Sequence, residues 1–344
     1  MTTTQSAPVI QNKPRFRGPI WTLLFLAPVI AEVLSGSTRT SILFVLIPEV
    51  MVWGVGALIC RELVRRWRAG GTSLLLLGLA LSIAEEFIIQ QTSIAPLPFP
   101  GAHADYGRMW GINLVYLLFM LGFESVWVVV VPVQVTELLF PARREQPWLR
   151  RWGWITCALA FLAGSRIAWY GWVKQARPRL GAAPYTPPAT MILGGLAAIA
   201  ILILLAYLMR NIGRPVAAGR TAPAWLAGPV ALVALVMGVG WFNLIGQIFV
   251  PHPVTTPGKA LALGVLWAVV AFLLFTWWTT RRAWTDLHAF CACWGATLAC
   301  QATPYLTVAT WPRIDIIGKA IFDVAALVLF LLLGARVLRR PHLG

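Results

Sequence analysis

Glu85 and Glu86 stand side by side in an apolar run, residues 72–93, that otherwise consists mainly of Leu, Ile, Ala and small polar residues. An ionisable group in hydrocarbon is costly unless it faces the protein interior or a wet cavity, so its presence points to use. Carboxyls crowded in low dielectric cannot all ionise. At least one is expected to hold a proton near neutral pH, where it can act as a general acid or proton carrier beside an ionised neighbour.

Other residues of matching type recur in neighbouring runs. Gly78, Ser82, Glu85/Glu86, Gln90 and Ser93 repeat at helical spacing, as do Asn113, Tyr116, Met120, Glu124 and Trp127, while Glu32 and Glu49 add one acid each from the two runs before. At a rise of ~1.5 Å per residue, Glu85 and Glu86 lie roughly 10 Å below the outer face of a hydrocarbon core. Glu32, Glu49, Arg166, Asp323 and Glu124 fall between about 10 and about 16 Å by the same reckoning. A shared depth predicts a common cavity, with Arg166 as counter-ion to whichever carboxylate stays ionised. Asn243 and Gln247, one turn apart, are candidates for its mouth. Lys319 and Asp323 form an i,i+4 pair whose default role is structural.

These residues require long apolar helices to hold them. Of 344 residues, 59% are hydrophobic and 12% charged, composition outside the soluble range. Apolar stretches near 19–37, 42–62, 72–93, 110–140, 153–172, 189–209, 224–249, 259–280, 284–304 and 316–336 predict an all-α, polytopic transmembrane bundle of about ten spans in a single domain, residues 1–344. Within it, residues 1–18 are a cytoplasmic tail, 19–140 the acidic helices 1–4, 141–152 a basic cytoplasmic loop, 153–336 helices 5–10 and 337–344 a second cytoplasmic tail. The first stretch follows Lys13, Arg15 and Arg17 and reads as a retained anchor. Most of the 28 Lys and Arg residues fall in the N-terminal tail, alternate loops and the C-terminus, which predicts both termini on the cytoplasmic side of the plasma membrane. That bias accounts for the net charge of +16, so no nucleic-acid partner is expected. No internal repeat is evident. Five cysteines in apolar segments read as core residues. Asp286, His288 and Cys291 have no further ligand beside them, so neither a metal nor a cofactor is expected.

The segment Ala84-EEFIIQ-Gln91 resembles the Glu-Glu-x-x-x-Arg motif of the CAAX-protease and bacteriocin-processing (CPBP, or Abi) family of intramembrane glutamic proteases. The resemblance implies that the Glu pair activates water, assisted in that family by histidines on later helices. Glu85 and Glu86 match the acidic pair and Gln90 takes the Arg position. The family's Phe-x-x-x-His motif would fall at Phe119 or Phe123, where no His follows and Glu124 is the nearest ionisable group. Its third motif, His followed by Asn or Asp, has no match. The pair's predicted depth is nearer the outer face, whereas a CAAX-type site opens to the cytoplasm.

Three functions follow. The first is a CPBP-like membrane-embedded enzyme, a hydrolase acting on a lipidic or peptide substrate by acid/base chemistry. Glu86 is then the general base or acid, Glu85 and Glu124 its tuning partners and Arg166 a stabiliser, while Glu32, Glu49, Gln90, Asn113, Tyr116, Trp127, Asn243, Gln247 and Asp323 face the substrate. An isoprenoid-processing variant would use a protonated carboxyl on an alkene and aromatic faces on the cation. The second is a proton-coupled transporter of small molecules. The third is a non-catalytic assembly or interaction partner whose arginine-rich loops contact membrane lipid or a cytosolic protein.

Overall fold

A computed structural model describes residues 17–98, 106–182, 184–214, 223–249, 254–280 and 284–340. Ten helical rods follow one another: α1 (Gly18–Val33), α2 (Thr40–Arg66), α3 (Gly71–Ile89), α4 (Leu114–Leu139), α5 (Arg151–Trp169, prolonged by Tyr170–Ala176 and Arg177–Arg179), α6 (Ala189–Leu208), α7 (Ala227–Phe249), α8 (Pro257–Thr280), α9 (Asp286–Ala302) and α10 (Arg313–Leu338). Among the described residues the only strands are the two-residue β1 (Arg108–Met109) and β2 (Ile112–Asn113), an antiparallel pair in the α3–α4 connection.

Seven helices, α2, α3, α4, α6, α7, α8 and α10, are long and apolar enough to cross a membrane, which places the chain among membrane proteins. Helix α1 is shorter and also apolar. Helix ends depart from the sequence expectation by up to several residues: α1 stops at Val33, α2 runs on to Arg66, α4 starts at Leu114 and α5 is prolonged to Arg179, and the departure that matters for the acids is in the third run, which stops at Ile89, four residues early, with Gln91 at a φ of +60° as the chain turns back.

Helices α2, α3 and α4 are the most buried of the seven, and α1 packs beside them. Helices α6 and α8 leave most of their Leu, Ile and Val side chains exposed, as a lipid-facing surface requires. Close helix approach depends on small residues. A Cβ on Gly54 would lie 2.1 Å from the Leu24 carbonyl oxygen, so α1 and α2 can touch only because position 54 has none. Gly78 does the same for α3 against α4, where a Cβ would meet Ser125 Cα at 2.9 Å.

The arginine-rich ends of α2 and of the α4–α5 connection are locked together. Arg61 and Glu62 are 1% and 0% exposed and bond to each other at 2.8 Å. Arg61 also donates to Glu137 Oε1 (3.1 Å) and to the carbonyls of Gln146 (2.7 Å) and Arg144 (2.6 Å), with its guanidinium stacked 3.5 Å over Trp148. Glu62 accepts the backbone N–H groups of Trp148 and Leu149. Arg65 adds two bonds to Glu137, and Asp286 at the start of α9 is gripped by Arg144 (2.6 Å) and Arg340 (2.9 Å). Asp286 is therefore a strut between α4, α9 and α10. His288 bonds Thr285 to cap α9.

Removing one partner of a buried ion pair strands the other in low dielectric, at about 3–5 kcal/mol. Glu137→Ala, which leaves the buried Arg61 and its neighbour Arg65 short of an acceptor, is expected to lower the thermal midpoint of the detergent-solubilised protein sharply. Glu145→Ala removes an acid that is 74% exposed, and should cost under about 1 kcal/mol. Equal effects would mean that burial does not govern the network.

Candidate functional site

Five acids meet where α1 to α4 converge, toward the end opposite the arginine network. Glu85, Glu86 and Glu124 are each 1% exposed, Glu49 is buried and Glu32 half-buried. Glu85 lies within electrostatic range of Glu86, Glu32 and Glu49, and Glu124 within range of Glu86, Glu85 and Glu32. The Tyr116 ring, buried in the same place, is near Glu86, Glu124, Glu32 and Glu85. None of the five acids forms an ion pair with a described residue.

Each acid sits in or directly against a π-helical turn. Glu32 lies in Val29–Val33, Glu49 immediately precedes Val50–Gly54, Glu85 and Glu86 lie in Ala84–Ile89, and Glu124 opens Glu124–Val130. Such wide turns are rare in helices and cluster at functional sites. Pro132 accounts for the turn in α4, because its ring clashes with the carbonyl four residues back, that of Val128 inside the turn, and offers it no N–H; Pro28 and Pro48 stand just before the turns of α1 and α2. At Glu85 the wide turn is closed by Gln90 N–H donating to the Glu85 carbonyl at 2.8 Å.

The pair is asymmetric in its hydrogen bonding. Glu86 Oε2 accepts both the N–H (2.9 Å) and the hydroxyl (2.6 Å) of Ser93. Among the described residues Glu85 has no hydrogen-bond partner at either oxygen, and the Gln90 amide, though near, is outside bonding geometry. Glu124 is likewise unpartnered, with the Ser82 hydroxyl beside it but unbonded. Glu49 accepts a short hydrogen bond from the Thr38 hydroxyl through one oxygen, and its other oxygen is bare.

The chain that returns after α3 holds Ser93 in place. Asn113, fully buried, donates its backbone N–H to the Ser93 carbonyl at 2.7 Å and its amide to the Ala95 carbonyl at 2.9 Å, and its Oδ1 accepts from Arg108 at 3.1 Å. Arg108 also bonds the carbonyls of Ile94 and Ala95, and Trp172 of the α5 prolongation donates to Thr92. Asn113 is thus a positioning residue for Ser93 and, through it, for Glu86. The contact of Ser93 with Glu86 is hidden in the sequence because a helix continued to residue 93 would put Ser93 on the face of Glu86 but roughly 10 Å farther along the axis.

Several expected lining residues lie elsewhere. Arg166 is on the exposed side of α5, stacked 4.4 Å over Trp169, and is no counter-ion to the acids. Trp127 is core: its N–H donates to the Ala296 carbonyl at 2.8 Å and its ring packs on Phe123 and Phe242. Asn243 is exposed and bonds its own helix at the Val239 carbonyl. The side chain of Gln247 lies outside the described residues. Asp323 is taken up by Lys319, by the Tyr305 hydroxyl (2.8 Å) and by the Gln301 amide (3.3 Å), in a separate cluster. Among the described residues no group of His, Cys, Asp and Glu is arranged to hold a metal ion, and the single described histidine, His288, is at the arginine end.

A hydrogen bond to a charged group contributes about 1.5–3 kcal/mol. Ser93→Ala keeps the backbone donor to Glu86 but removes the hydroxyl, and is expected to shift the infrared carboxyl bands assigned to Glu86 while leaving those of Glu85 in place. Movement of both together would mean that the two carboxyls share one environment. Compared with known proteins, the chain matches no family model, no curated protein and no solved structure.

Proposed function

We propose that the carboxyl cluster is the acid/base centre of a membrane-embedded enzyme acting on a lipidic or peptide substrate, similar to the CPBP proteases in its use of an adjacent Glu pair. The observation that carries this reading is the asymmetry of that pair: Glu86 is fixed by two donors from Ser93, while both oxygens of Glu85 are uncommitted. Two carboxyls in unlike environments divide acid and base roles between them. Glu86 is the base that takes a proton from water or substrate, and Glu85 carries the proton delivered to the leaving group. Glu124, Tyr116, Glu32 and Glu49 complete the wall and tune the pair, and the one described histidine, His288, stands apart from them. Ten spans, cytoplasmic termini and a plasma-membrane location belong to the same reading, with the acids toward the outer leaflet.

A second reading, a proton-coupled transporter, is favoured by the wide turns. A π turn that relaxes to α rotates the segment beyond it by ~100°, which offers a way to couple protonation to a change of access.

The test starts from difference infrared spectra of wild type, Glu85→Gln and Glu86→Gln in nanodiscs, from about pH 4 to about pH 9. A protonated-carboxyl band that persists above neutrality and vanishes in Glu85→Gln is expected. The same proteins are then incubated with membrane lipid extracts and peptides and the products followed by mass spectrometry. Glu86→Gln should lower product formation by ~10²-fold or more. Proteoliposomes that acidify with wild type but not with Glu86→Gln, with no product formed, would overturn the enzyme reading in favour of transport.

A further inference from the structure

The arginine end of the bundle carries a second set of cations that the buried network does not use. Arg66 and Arg68 stand at the end of α2, Arg150 and Arg151 at the start of α5, and Arg210 and Arg214 just beyond α6. None of the six forms an ion pair with a described residue, and all but the half-buried Arg210 are exposed. The nearest acids on α2 and on the α4–α5 connection are already committed: Glu62 is buried against Arg61 and the N–H groups of Trp148 and Leu149, and Glu145 faces Arg65 and Arg144. Direct contacts bring the three helix ends together. Arg66 donates to the Leu149 carbonyl at 2.7 Å and lies 5.5 Å over the Trp154 ring of α5. On the other side Trp67 packs edge-on against Tyr207 of α6 at 5.4 Å, and Arg210 lies 4.5 Å over the same Tyr207 ring.

The surface that continues from this charge along the helices is apolar. Trp152, Ile155 and Leu159 of α5 and Leu204, Tyr207 and Leu208 of α6 are all exposed. Guanidiniums at the helix ends, aromatic rings beside them and aliphatic side chains beyond follow the order of phosphate, glycerol and acyl chain in a phospholipid. A soluble acidic protein or a nucleic acid would engage the arginines but leave the aliphatic face without a purpose. A zwitterionic headgroup brings its own cation into a place already holding six unpaired ones, whereas an anionic headgroup compensates them. We propose that the ends of α2, α5 and α6 form a binding surface for an anionic phospholipid of the adjoining leaflet, with its phosphate on Arg68, Arg150 and Arg151 and an acyl chain along the exposed face of α5. The surface lies at the opposite end of the bundle from the carboxyl cluster and is independent of the acid/base reading.

The experiment uses the full chain in nanodiscs of equal parts phosphatidylglycerol and phosphatidylcholine, with native mass spectrometry following the lipids that stay bound. Wild type is compared with Arg150→Gln/Arg151→Gln, with Arg150→Lys/Arg151→Lys, and with Arg179→Gln/Arg313→Gln, which removes the same charge from the far end of the bundle. The side chains of Arg150 and Arg151 bond no described residue, so these variants should fold, with circular dichroism and the thermal midpoint as checks. Wild type is expected to retain phosphatidylglycerol over phosphatidylcholine by about fivefold or more, a preference that weakens as salt is raised. It should fall below about twofold in Arg150→Gln/Arg151→Gln, lie between the two in the Lys variant and persist in Arg179→Gln/Arg313→Gln. No preference in wild type, or an equal loss in both Gln variants, would overturn the proposal. Capture of poly-glutamate by wild type without any lipid preference would overturn it in favour of an acidic soluble partner.

Discussion

A carboxylate taken out of water must be given a cation, hydrogen-bond donors or a proton, and the acids of this chain divide according to which they receive. Glu62, Glu137, Glu145, Asp286 and Asp323 each face an Arg or Lys. Asp315 is satisfied by Ser41. The remaining described acids, Glu32, Glu49, Glu85, Glu86 and Glu124, have no cation and between them only the donors of Ser93 and Thr38. Apart from Asp323, which Lys319 holds nearer the carboxyl cluster, the acids that face a cation lie at the arginine end. The paired acids at the arginine end tie α2, α4, α9 and α10 into a fixed frame, and that frame lets the uncompensated ones be held at depth.

Holding them there shapes the helices themselves. Four rods depart from regular α geometry at the acids, and at the α4 turn Pro132 makes the departure intrinsic to the sequence. The bare approach surfaces of Gly54 and Gly78 bring α1 to α2 and α3 to α4 within backbone contact. The carboxyls of different helices then share one environment instead of each facing lipid. The α3–α4 connection finishes the site from outside the helices: Arg108 and Asn113 fasten the returning chain so that Ser93 presents two donors to a single oxygen of Glu86.

Length and hydropathy made the rods legible, since ~20 apolar residues in a row have few alternatives. Rise per residue gave Glu32, Glu49, Glu85, Glu86 and Glu124 a common level along the rods, and the structure brings these five together. Azimuth is what depth leaves out. Arg166 has the right height on α5 and the wrong face, and Trp127 and Asn243 fail for the same reason, one turned into the core by Ala296 and the other outward. Lys319 and Asp323 were readable because i,i+4 spacing fixes azimuth as well as height. Ser93 was not, because its position depends on a helix ending four residues before the apolar run does. The prolines at 28, 48 and 132 were the available signal for irregular geometry beside the acids.

Cations do stand near the cluster, yet each is engaged elsewhere. Lys319 lies within electrostatic range of Cys300, which in turn is within range of Glu32, but its ammonium is bound to Asp323. Arg39 neighbours Thr38, the residue that donates to Glu49, but its guanidinium lies on Trp311. A bundle stabilised only by pairing its buried charges would bring one of these onto a glutamate, as Arg61 is brought onto Glu62 and Glu137 at the other end. Keeping them apart leaves the glutamates free to gain and lose protons. A carboxyl locked to a guanidinium stays ionised over the working range of pH, whereas one surrounded by other carboxyls, a phenol and a few hydroxyls has its charge set by its neighbours' protons. On the proposed acid/base reading, separation of the cations from the cluster is what suits it to proton exchange and not merely to holding helices together.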